Sequence, residues 1–354
     1  DGAGNEIDAL PEPVVAVIQG FVRAGGRSAH CHVYDATSSG SQRYVAEWFR
    51  DRVHAHFPDV QFNGSIDDPS STSSWDPRTH VTWSPAYVSP PPDTRIAQLA
   101  LDADYLVNVP IVKRHSQANL TLGYKNLFGS IESCDRLHPW VYEDVPEASV
   151  LADIMASPRV DGDPSVRTLA EKTSLVVGDM LYGQPCSNFG VSPQPWQTFR
   201  GEWPNGLVVS DDPVAADSVM ADLLQAEPAQ GGACGGIRSW ARRYLSYAEQ
   251  LGQGVHETIS LPVGEPFEPS RMTYGRIDYR FADLWPSGAD LRVSRAPSGE
   301  VLLEWDHYFD GLYEVHRATR PDFADAILLG VTPVRQYADP APPEPSFYRI
   351  RFAG

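Results

Sequence analysis

Apolar and polar positions alternate between helical and strand-like patterns over roughly the first 225 residues. Helical periodicity occurs near residues 11–23, 42–54, 148–156, 164–172 and 213–224. Apolar runs typical of strands occur at 30–34, 105–110, 174–179 and 207–210. The runs at 105–110 and 174–179 are continuous enough to predict buried strands. Because helices alternate with such strands, we predict an α/β fold with a mixed or parallel sheet and flanking helices.

The pattern changes near residue 290. Gly, Pro and Asp separate short strand-like runs at 291–293, 301–305, 312–317, 326–329 and 347–352. This spacing predicts a small C-terminal all-β sandwich, with Trp305, Tyr313 and Tyr348 in its core. We therefore expect an α/β domain at 1–262, a connector at 263–289 and the sandwich at 290–354.

Cationic and imidazole side chains gather in residues 104–138, although the chain as a whole is acidic. Lys113 and His115 follow the strand predicted at 105–110, at its carboxyl end, where open α/β sheets usually bind ligands. A lysine binds anions as a point charge, and a histidine acts as an acid or base near neutral pH or ligates metal ions. We predict that His115 is the acid/base of a catalytic site and that Lys113 assists it. The alternative for His115 is a hydrogen bond to loop backbone.

The same stretch continues with a helix predicted at about 119–128. Lys125 and Asn126 lie in its last turns, and His138 lies in the loop beyond. Lys125 is predicted to be catalytic and Asn126 to bind the ligand, although a helix C-terminal role for Asn126 is equally consistent with its position. His138 is predicted to bind a metal ion together with His115, and its alternative is a structural role in the loop.

Four aspartates are predicted to line this site or to hold its lysines, namely Asp35, Asp179, Asp212 and Asp217. For Asp35 the alternative is a turn or capping role, and Asp212 precedes a proline as helix N-caps often do. For Asp217 the alternative is an exposed position on the helix. Salt bridges between these aspartates and the lysines would satisfy both groups and could orient His115.

The charge of the chain limits its partners. It has 46 acidic and 28 basic residues, which give a net charge of −18. Nucleic acids and anionic membranes are therefore not expected partners, because phosphate binding needs clustered Lys and Arg. No apolar run approaches the ~20 residues of a membrane span. A small-molecule ligand is the expected partner.

Sequence motifs exclude several kinds of cofactor and chemistry. The cysteines form no C-x-x-C pair, so neither an iron–sulfur cluster nor a thiolate zinc site is expected. They form either one or two disulfides, with Cys134 and Cys186 as the first candidate pair, or buried thiols. No P-loop, no G-x-G-x-x-G after a strand, no G-x-S-x-G and no H-E-x-x-H is found, which argues against a nucleotide cofactor, a serine hydrolase and a zincin.

Four motifs together resemble a known family. They are NVPIVKRHSQANLTLGYKNLFG at 108–129, RLH at 136–138, LVVGDMLYG at 175–183 and VVSDDPVAAD at 208–217. In this order they resemble the domain of unknown function 362 family over about residues 11–225. That family usually begins with a strand carrying a Lys-Pro-Asn piece, which has no counterpart here. We therefore expect either a segment before Asp1 or a sheet completed differently.

The stretch HSQANLTLGYKNLFG at 115–129 is also similar, more distantly, to a segment of the nickel-pincer lactate racemases. This resemblance implies that Lys125 anchors the cofactor, that His115 is the acid/base and that His138 ligates the metal. A transition metal is accordingly the candidate cofactor.

The C-terminal pieces VLLEW, LYEVHRAT, PDF and FYRIR resemble a small bacterial fibronectin type III module. Such modules are typically appended to exported enzymes, so the resemblance implies a periplasmic or secreted location. Because the sequence starts at Asp1 and not at methionine, we expect a processed chain.

Two functional hypotheses follow. The first is an exported enzyme that uses metal-assisted or acid/base chemistry on a small anionic or hydroxylated ligand. The second is a non-catalytic binding or scaffolding protein that attaches to a surface or protein partner through its β-sandwich.

Overall fold

The computed structural model describes residues 9–34, 47–63, 75–115, 118–132, 134–141, 147–158, 166–185, 193–228, 237–282, 291–305, 312–320, 325–334, 336–340, 342–343 and 346–352. The chain divides into two units, residues 1–279 and 280–354. The first unit is mixed α/β, and the second consists of antiparallel strands.

The elements of the first unit have the following bounds. Its helices are α1 (Pro11–Arg23), α2 (Glu47–His54), α3 (Gln98–Asp102), α4 (Gly123–Asn126), α5 (His138–Val141), α6 (Val150–Met155), α7 (Leu169–Lys172), α8 (Pro213–Ala226) and α9 (Arg243–Gln250). Its strands are β1 (His32–Tyr34), β2 (Gln61–Asn63), β3 (Trp75–His80), β4 (Arg95–Ala97), β5 (Leu106–Asn108), β6 (Ile111–His115), β7 (Asn119–Thr121), β8 (Thr173–Gln184) and β9 (Gly206–Ser210).

The central sheet is built around β8. This strand pairs in parallel with β5 and β6 and antiparallel with β9, and β6 pairs antiparallel with β7. Two smaller sheets pair β1 with β2 in parallel and β3 with β4 antiparallel. The predicted mixed sheet is confirmed.

Helix α8 fills the space beside one face of this sheet. Nearly all its residues are buried, including the polar Asp217, Ser218 and Asp222, and it packs with Val112 and Val176 of the sheet. Asp212 caps the helix, because its Oδ1 accepts hydrogen bonds from Val214 N (2.9 Å) and Ala215 N (2.8 Å). The predicted helix and the capping interpretation of Asp212 are confirmed.

Strand β5 lies at an edge of the sheet, which corrects the prediction of a buried strand. Tyr105 is 69% exposed and Val107 is 41% exposed. Among the described strands, β5 pairs with β8 alone, so its other edge has no strand beside it. A β-branched run suits an edge strand as well as a buried one, and the sequence pattern could not separate the two.

The chain after β5 forms a hairpin where a loop and a helix were predicted. Ile111–His115 is strand β6, so Lys113 and His115 lie on a strand and not in the loop after one. The predicted helix at 119–128 is replaced by β7, the four-residue helix α4 and a 3₁₀ turn at Leu127–Ser130. Asn119 begins β7 with a φ of 67°, a left-handed conformation that asparagine tolerates and that reverses the chain.

Strand β8 is longer than predicted. It continues to Gln184, where it pairs with Lys113 of β6. Asp179 consequently lies within the strand, opposite Ile111, and not at its carboxyl end.

The second unit contains two three-stranded antiparallel sheets. Their strands are β10 (Leu291–Arg295), β11 (Val301–Trp305), β12 (Tyr313–Ala318), β13 (Ile327–Thr332), β14 (Gln336–Asp339) and β15 (Phe347–Phe352), in the orders β10-β11-β14 and β13-β12-β15. Trp305 and Tyr313 are buried in its core with their rings edge to face, and Tyr348 packs against that core. The predicted core positions are confirmed, whereas the strand β14 was not predicted.

Candidate functional site

Strand β6 has two different faces. Val112 and Arg114 are buried, whereas Lys113 and His115 on the other face are half-buried, as the alternation of side chains along a strand requires. The Arg114 Nη2 group donates to Leu224 O (2.9 Å) and Glu227 O (2.7 Å) at the end of α8. One face of β6 is therefore fixed to α8, and the other presents Lys113 and His115 together.

The β6–β7 hairpin fixes the ring of His115. The backbone N–H of Ala118 donates to His115 Nδ1 at 3.0 Å. A ring nitrogen that accepts a hydrogen bond carries no proton, so a neutral His115 carries its proton on Nε2. His115 therefore presents an N–H donor at its other nitrogen.

His115 belongs to a group that we call the Lys/His cluster, formed by His115, Lys125, Phe128 and His138. The imidazole rings of His115 and His138 are stacked, with centroids 5.7 Å apart and planes at 17°. Lys125 Nζ lies 3.4 Å from His138 Nε2 and 3.8 Å from the centroid of the Phe128 ring. Three side chains that the sequence singled out are thus brought together around a buried aromatic ring.

The protonation pattern of His138 follows from its contact with Lys125. An ammonium group has donors and no acceptor, so Lys125 Nζ donates to His138 Nε2. A neutral His138 then carries its proton on Nδ1. The described hydrogen bonds thus assign a tautomer to each imidazole of the cluster.

Helix α4 carries Lys125 and is capped by a distant residue. Its own N-cap position is Leu122, which has no side chain able to accept a hydrogen bond. Instead, the buried Asp217 of α8 accepts from Gly123 N (2.7 Å, Oδ1) and Tyr124 N (3.1 Å, Oδ2). Asp217 thereby satisfies two N–H groups that the first turn of any helix leaves unpaired.

Asp217 also joins α4 to α9. Tyr244 of α9 donates its hydroxyl to Asp217 Oδ2 at 2.8 Å. Burial raises the pKa of the Asp217 carboxyl to about 7, against the opposing effect of its three hydrogen bonds. The alternative of an exposed Asp217 is thus wrong, since the side chain is buried and fully engaged.

The side-chain amide of Asn126 forms a hydrogen bond within the protein. Asn126 Nδ2 donates to Asn108 Oδ1, and Asn108 Nδ2 donates to Gly123 O, each at 2.7 Å. These bonds tie both ends of α4 to strand β5. Asn126 was predicted to bind a ligand, and its observed contacts hold the helix that carries Lys125.

The other predicted aspartates bind backbone groups and not lysines. Asp179 accepts from Leu10 N (2.9 Å) and Leu181 N (3.0 Å), and burial raises its pKa. Asp212 accepts from Val255 N at 2.8 Å in addition to capping α8. Buried carboxylates need donors nearby, and here the main chain supplies them. Asp35 lies outside the described residues.

Within the described part of the chain, the cluster contributes two histidines and no third side chain of the kinds that bind metal ions. Among the described ranges, no three His, Cys, Asp or Glu side chains form a group that could hold a metal ion. The predicted metal ligands are His115 and His138, but His138 Nε2 accepts from Lys125 and His115 Nδ1 accepts from Ala118. Metal-bound histidines normally donate from their second nitrogen to an acceptor, which is the opposite arrangement for His115.

The predicted disulfide between Cys134 and Cys186 stays a prediction. Cys134 is buried and begins the turn that leads to His138. Cys186 lies outside the described residues.

Three residues that shape the site were not predicted from the sequence. Phe128 forms the apolar contact of Lys125, Asn108 binds α4, and Tyr244 binds Asp217. Asn108 gave a signal, because a polar amide within an apolar strand must find a partner when buried. Phe128 and Tyr244 gave none, since aromatic residues are ordinary core residues.

These features can be compared with known proteins. Residues 72–222 match the family described as Domain of unknown function (DUF362). The match includes β6, the whole Lys/His cluster and Asp217. The family resemblance found in the sequence is thus supported over these residues.

One curated relative is a thylakoid-associated protein of Synechocystis sp. It is 28% identical over 229 residues, which are 64% of this chain. The chain spans 60% of the length of that relative. No solved structure matches the chain significantly. Within the described ranges, no helix combines the length and the apolar character that a membrane span needs.

The hydrogen bond to His115 predicts its tautomer. In long-range ¹H–¹⁵N spectra at pH 8, we expect His115 to carry its proton on Nε2 and to show Nδ1 as an acceptor. His256 is the internal control with the opposite tautomer, because Ser218 uses its hydroxyl hydrogen on Val214 O and must accept from His256 Nδ1 (2.9 Å). A proton on Nδ1 of His115 would contradict the assignment.

Gly123 leaves no room for a side chain beside Asp217. A Cβ atom there would lie 2.8 Å from Asp217 Oδ1 and 3.3 Å from Asn108 Nδ2. We expect Gly123→Ala to lower the free energy of unfolding by about 1–3 kcal/mol, measured by urea unfolding. Gly206→Ala is the matched control, since its nearest atom would be at an ordinary 3.6 Å, and equal effects of the two changes would refute the crowding argument.

Proposed function

We propose that the first unit binds a small molecule through an anionic group, a carboxylate or an oxyanion, at the Lys/His cluster. One observation carries this proposal: the ammonium group of Lys125 lies against His138, whose ring stacks on that of His115, so that donor groups are gathered at one place. Donors next to a positive charge suit an anion, and a metal cation would need lone pairs in their place. The half-buried setting strengthens the attraction relative to water.

The residues of the cluster would have different roles. Lys125 would supply the charge, and His115 Nε2–H would orient the bound group. Lys113 shares a face of β6 with His115 and would extend the positive surface. Phe128 would exclude water from one side of the ammonium group.

We further propose acid/base catalysis on this bound anion, as the sequence predicts. The contact between Lys125 and His138 suggests that this pair moves the proton, because one proton can reside on either nitrogen. His115 was predicted to be the acid/base, but its Nδ1 is occupied by the Ala118 amide, which favours a binding role.

Binding and catalysis can be tested in sequence. Titration with sulfate and with lactate should shift the imidazole resonances of His115 and His138, and no shift with either anion would refute the binding site. Exchange of the carbon-bound hydrogen next to the carboxylate of lactate and other hydroxy acids, followed in D₂O, tests proton transfer. We expect His138→Gln to slow this exchange by about 10²–10⁴-fold.

The second candidate is a non-catalytic binding protein. It is favoured by the relative described as thylakoid-associated, a description that names a location and no reaction. This candidate predicts anion binding without exchange on any hydroxy acid. It also predicts that His138→Gln leaves the cellular role of the protein intact.

The resemblance to the racemases suggests that the enzyme uses a metal-assisted reaction, which is another form of the enzyme hypothesis. It requires Lys125 to move away from His138 Nε2 and His115 to change tautomer, so that His115 Nε2 carries a lone pair. Elemental analysis of the wild-type protein and of a His115→Ala/His138→Ala variant tests it. A near-stoichiometric transition metal lost in the variant would favour metal chemistry over simple anion binding.

We propose that the second unit is a fibronectin type III-like module and that the protein works outside the cytoplasm. The sequence pieces at 301–305, 312–319 and 347–351 and the two antiparallel sheets support the first part. Fractionation of the source cells tests the second. Recovery of the protein only in the cytoplasmic fraction would contradict it.

A further inference from the structure

We propose that Asp217 is the positioning residue of the Lys/His cluster and that loss of its charge releases Lys125 from the anion-binding position. This inference rests on the proposed anion site and adds a means of regulation to it. The contact that carries it is the capping of α4 by a carboxylate from α8.

The position of Lys125 depends on helix α4, which is too short to be stable by itself. Helix α4 has four residues, far fewer than a stable isolated helix needs. Its N-terminal N–H groups are bound by Asp217, and its Gly123 carbonyl is bound by Asn108. Lys125 is one residue beyond Tyr124, so any shift of the capped turn moves its ammonium group relative to His138.

The geometry requires a carboxylate at this position. Three donors point at Asp217, namely Gly123 N, Tyr124 N and the hydroxyl of Tyr244. An ionised carboxylate accepts all three, whereas a protonated acid or an asparagine amide turns one of its own donors toward them. With a protonated acid or an asparagine at this position, at least one of the three donors (Gly123 N, Tyr124 N and the Tyr244 hydroxyl) loses its acceptor.

The surroundings of Asp217 make its charge sensitive to pH. Burial raises the pKa of its carboxyl to about 7. The titratable groups that face it are Tyr124 of α4 and Tyr244 of α9, whose pKa values burial raises well above the usual range. The charge of Asp212 acts on Tyr124, and that of Arg242 acts on Tyr244. Both tyrosines thus remain neutral while Asp217 titrates.

The sign of the effect follows. Above pH 7 the carboxylate is ionised, caps α4 and keeps Lys125 at the site. Below pH 7 the protonated group has lost its negative charge, as asparagine has, so its hydrogen bonds to the N–H groups of α4 are weaker. Anion affinity therefore has a component that is present at high pH and is lost as pH falls through about 7.

The test compares Asp217→Asn with wild type at pH 8 and pH 5.5, with sulfate as the probe because its charge is constant over this range. At pH 8 we expect the variant to bind sulfate about tenfold more weakly, which corresponds to about 1.4 kcal/mol. At pH 5.5 the two proteins should differ by less than about twofold, because wild-type Asp217 is then neutral too.

The control variant is Asp222→Asn. Asp222 lies on the same helix and is similarly buried, but its hydrogen-bond partners are Arg242, Ile259 and Tyr274, none of which belongs to α4. We expect this variant to lose stability and to keep wild-type sulfate affinity at both pH values. A tenfold loss in the control as well, or a ratio for Asp217→Asn that is the same at both pH values, would overturn the inference.

A readout without any ligand separates this inference from the proposed function. The nuclear Overhauser effect between the Lys125 Hε protons and the His138 ring should be strong in wild type at pH 8 and weak in Asp217→Asn. If sulfate fails to bind but this signal depends on Asp217, the anion site is refuted and the positioning role stands. If the signal is the same in both proteins, the positioning role is refuted.

Discussion

Replacing Lys125 by methionine should weaken sulfate binding at pH 8 by at least about thirtyfold, or about 2 kcal/mol. Methionine keeps the length of the side chain and its apolar contact with Phe128, so the change removes the charge and little else. The free energy of unfolding should change by less than about 1 kcal/mol, as for most half-exposed positions. Isothermal titration with sulfate and urea unfolding measure the two quantities.

The matched control is Arg271→Met, which removes the same charge from a side chain that is 81% exposed. It changes the net charge of the protein equally and should leave sulfate affinity within about twofold of wild type, because salt screens exposed charges. Equal losses in the two variants would show that sulfate senses the overall charge and not the cluster.

Replacing Arg242 by methionine should lower the free energy of unfolding of the first unit by about 3–5 kcal/mol. Arg242 Nη1 lies 2.6 Å from Asp222 Oδ1, and the side chains are 14% and 1% exposed. Without the arginine, Asp222 keeps Ile259 N and the Tyr274 hydroxyl as donors but loses its counter-charge. Hydrogen exchange of the amides in α8 and α9, followed by mass spectrometry, measures the loss locally.

Two comparisons make this expectation specific. Arg52→Met breaks an exposed ion pair with Glu12 and should cost less than about 1 kcal/mol. The double variant Arg242→Met/Asp222→Leu removes both charges and should be more stable than Arg242→Met alone, because no buried charge remains unpaired. A double variant that is less stable than Arg242→Met would show that the ion pair contributes more to the free energy of unfolding than the burial of its two charges costs.

The elements that the sequence predicted well are those with strong local signals. Helix α1 spans the predicted residues 11–23, and α8 begins at the predicted proline after its aspartate cap. The β6–β7 hairpin was missed because Lys113, Arg114 and His115 read as a polar loop. Their true pattern is an alternation in which a buried arginine occupies the face toward α8, and only the carbonyl groups of α8 make that burial acceptable.

The same distinction applies to the candidate site. His115, Lys125 and His138 could be selected from the sequence because cationic and imidazole side chains gather in residues 104–138, although the chain as a whole is acidic. Their contacts could not be predicted. His115 lies on β6, whereas His138 follows a turn much further along the chain, and no local sequence pattern indicates that the two rings stack. The role of Asp217 could not be predicted either, because no local sequence pattern indicates a carboxylate that caps a helix elsewhere in the chain.

The separation between α4 and its cap has a consequence for synthesis of the protein. Gly123 and Asp217 are 94 residues apart. At about 5–20 residues per second, a ribosome adds Asp217 roughly 5–20 s after Gly123. Until then the nascent segment with Lys125 lacks the acceptor for its first N–H groups, so the proposed anion site can be completed only after Asp217 has been added.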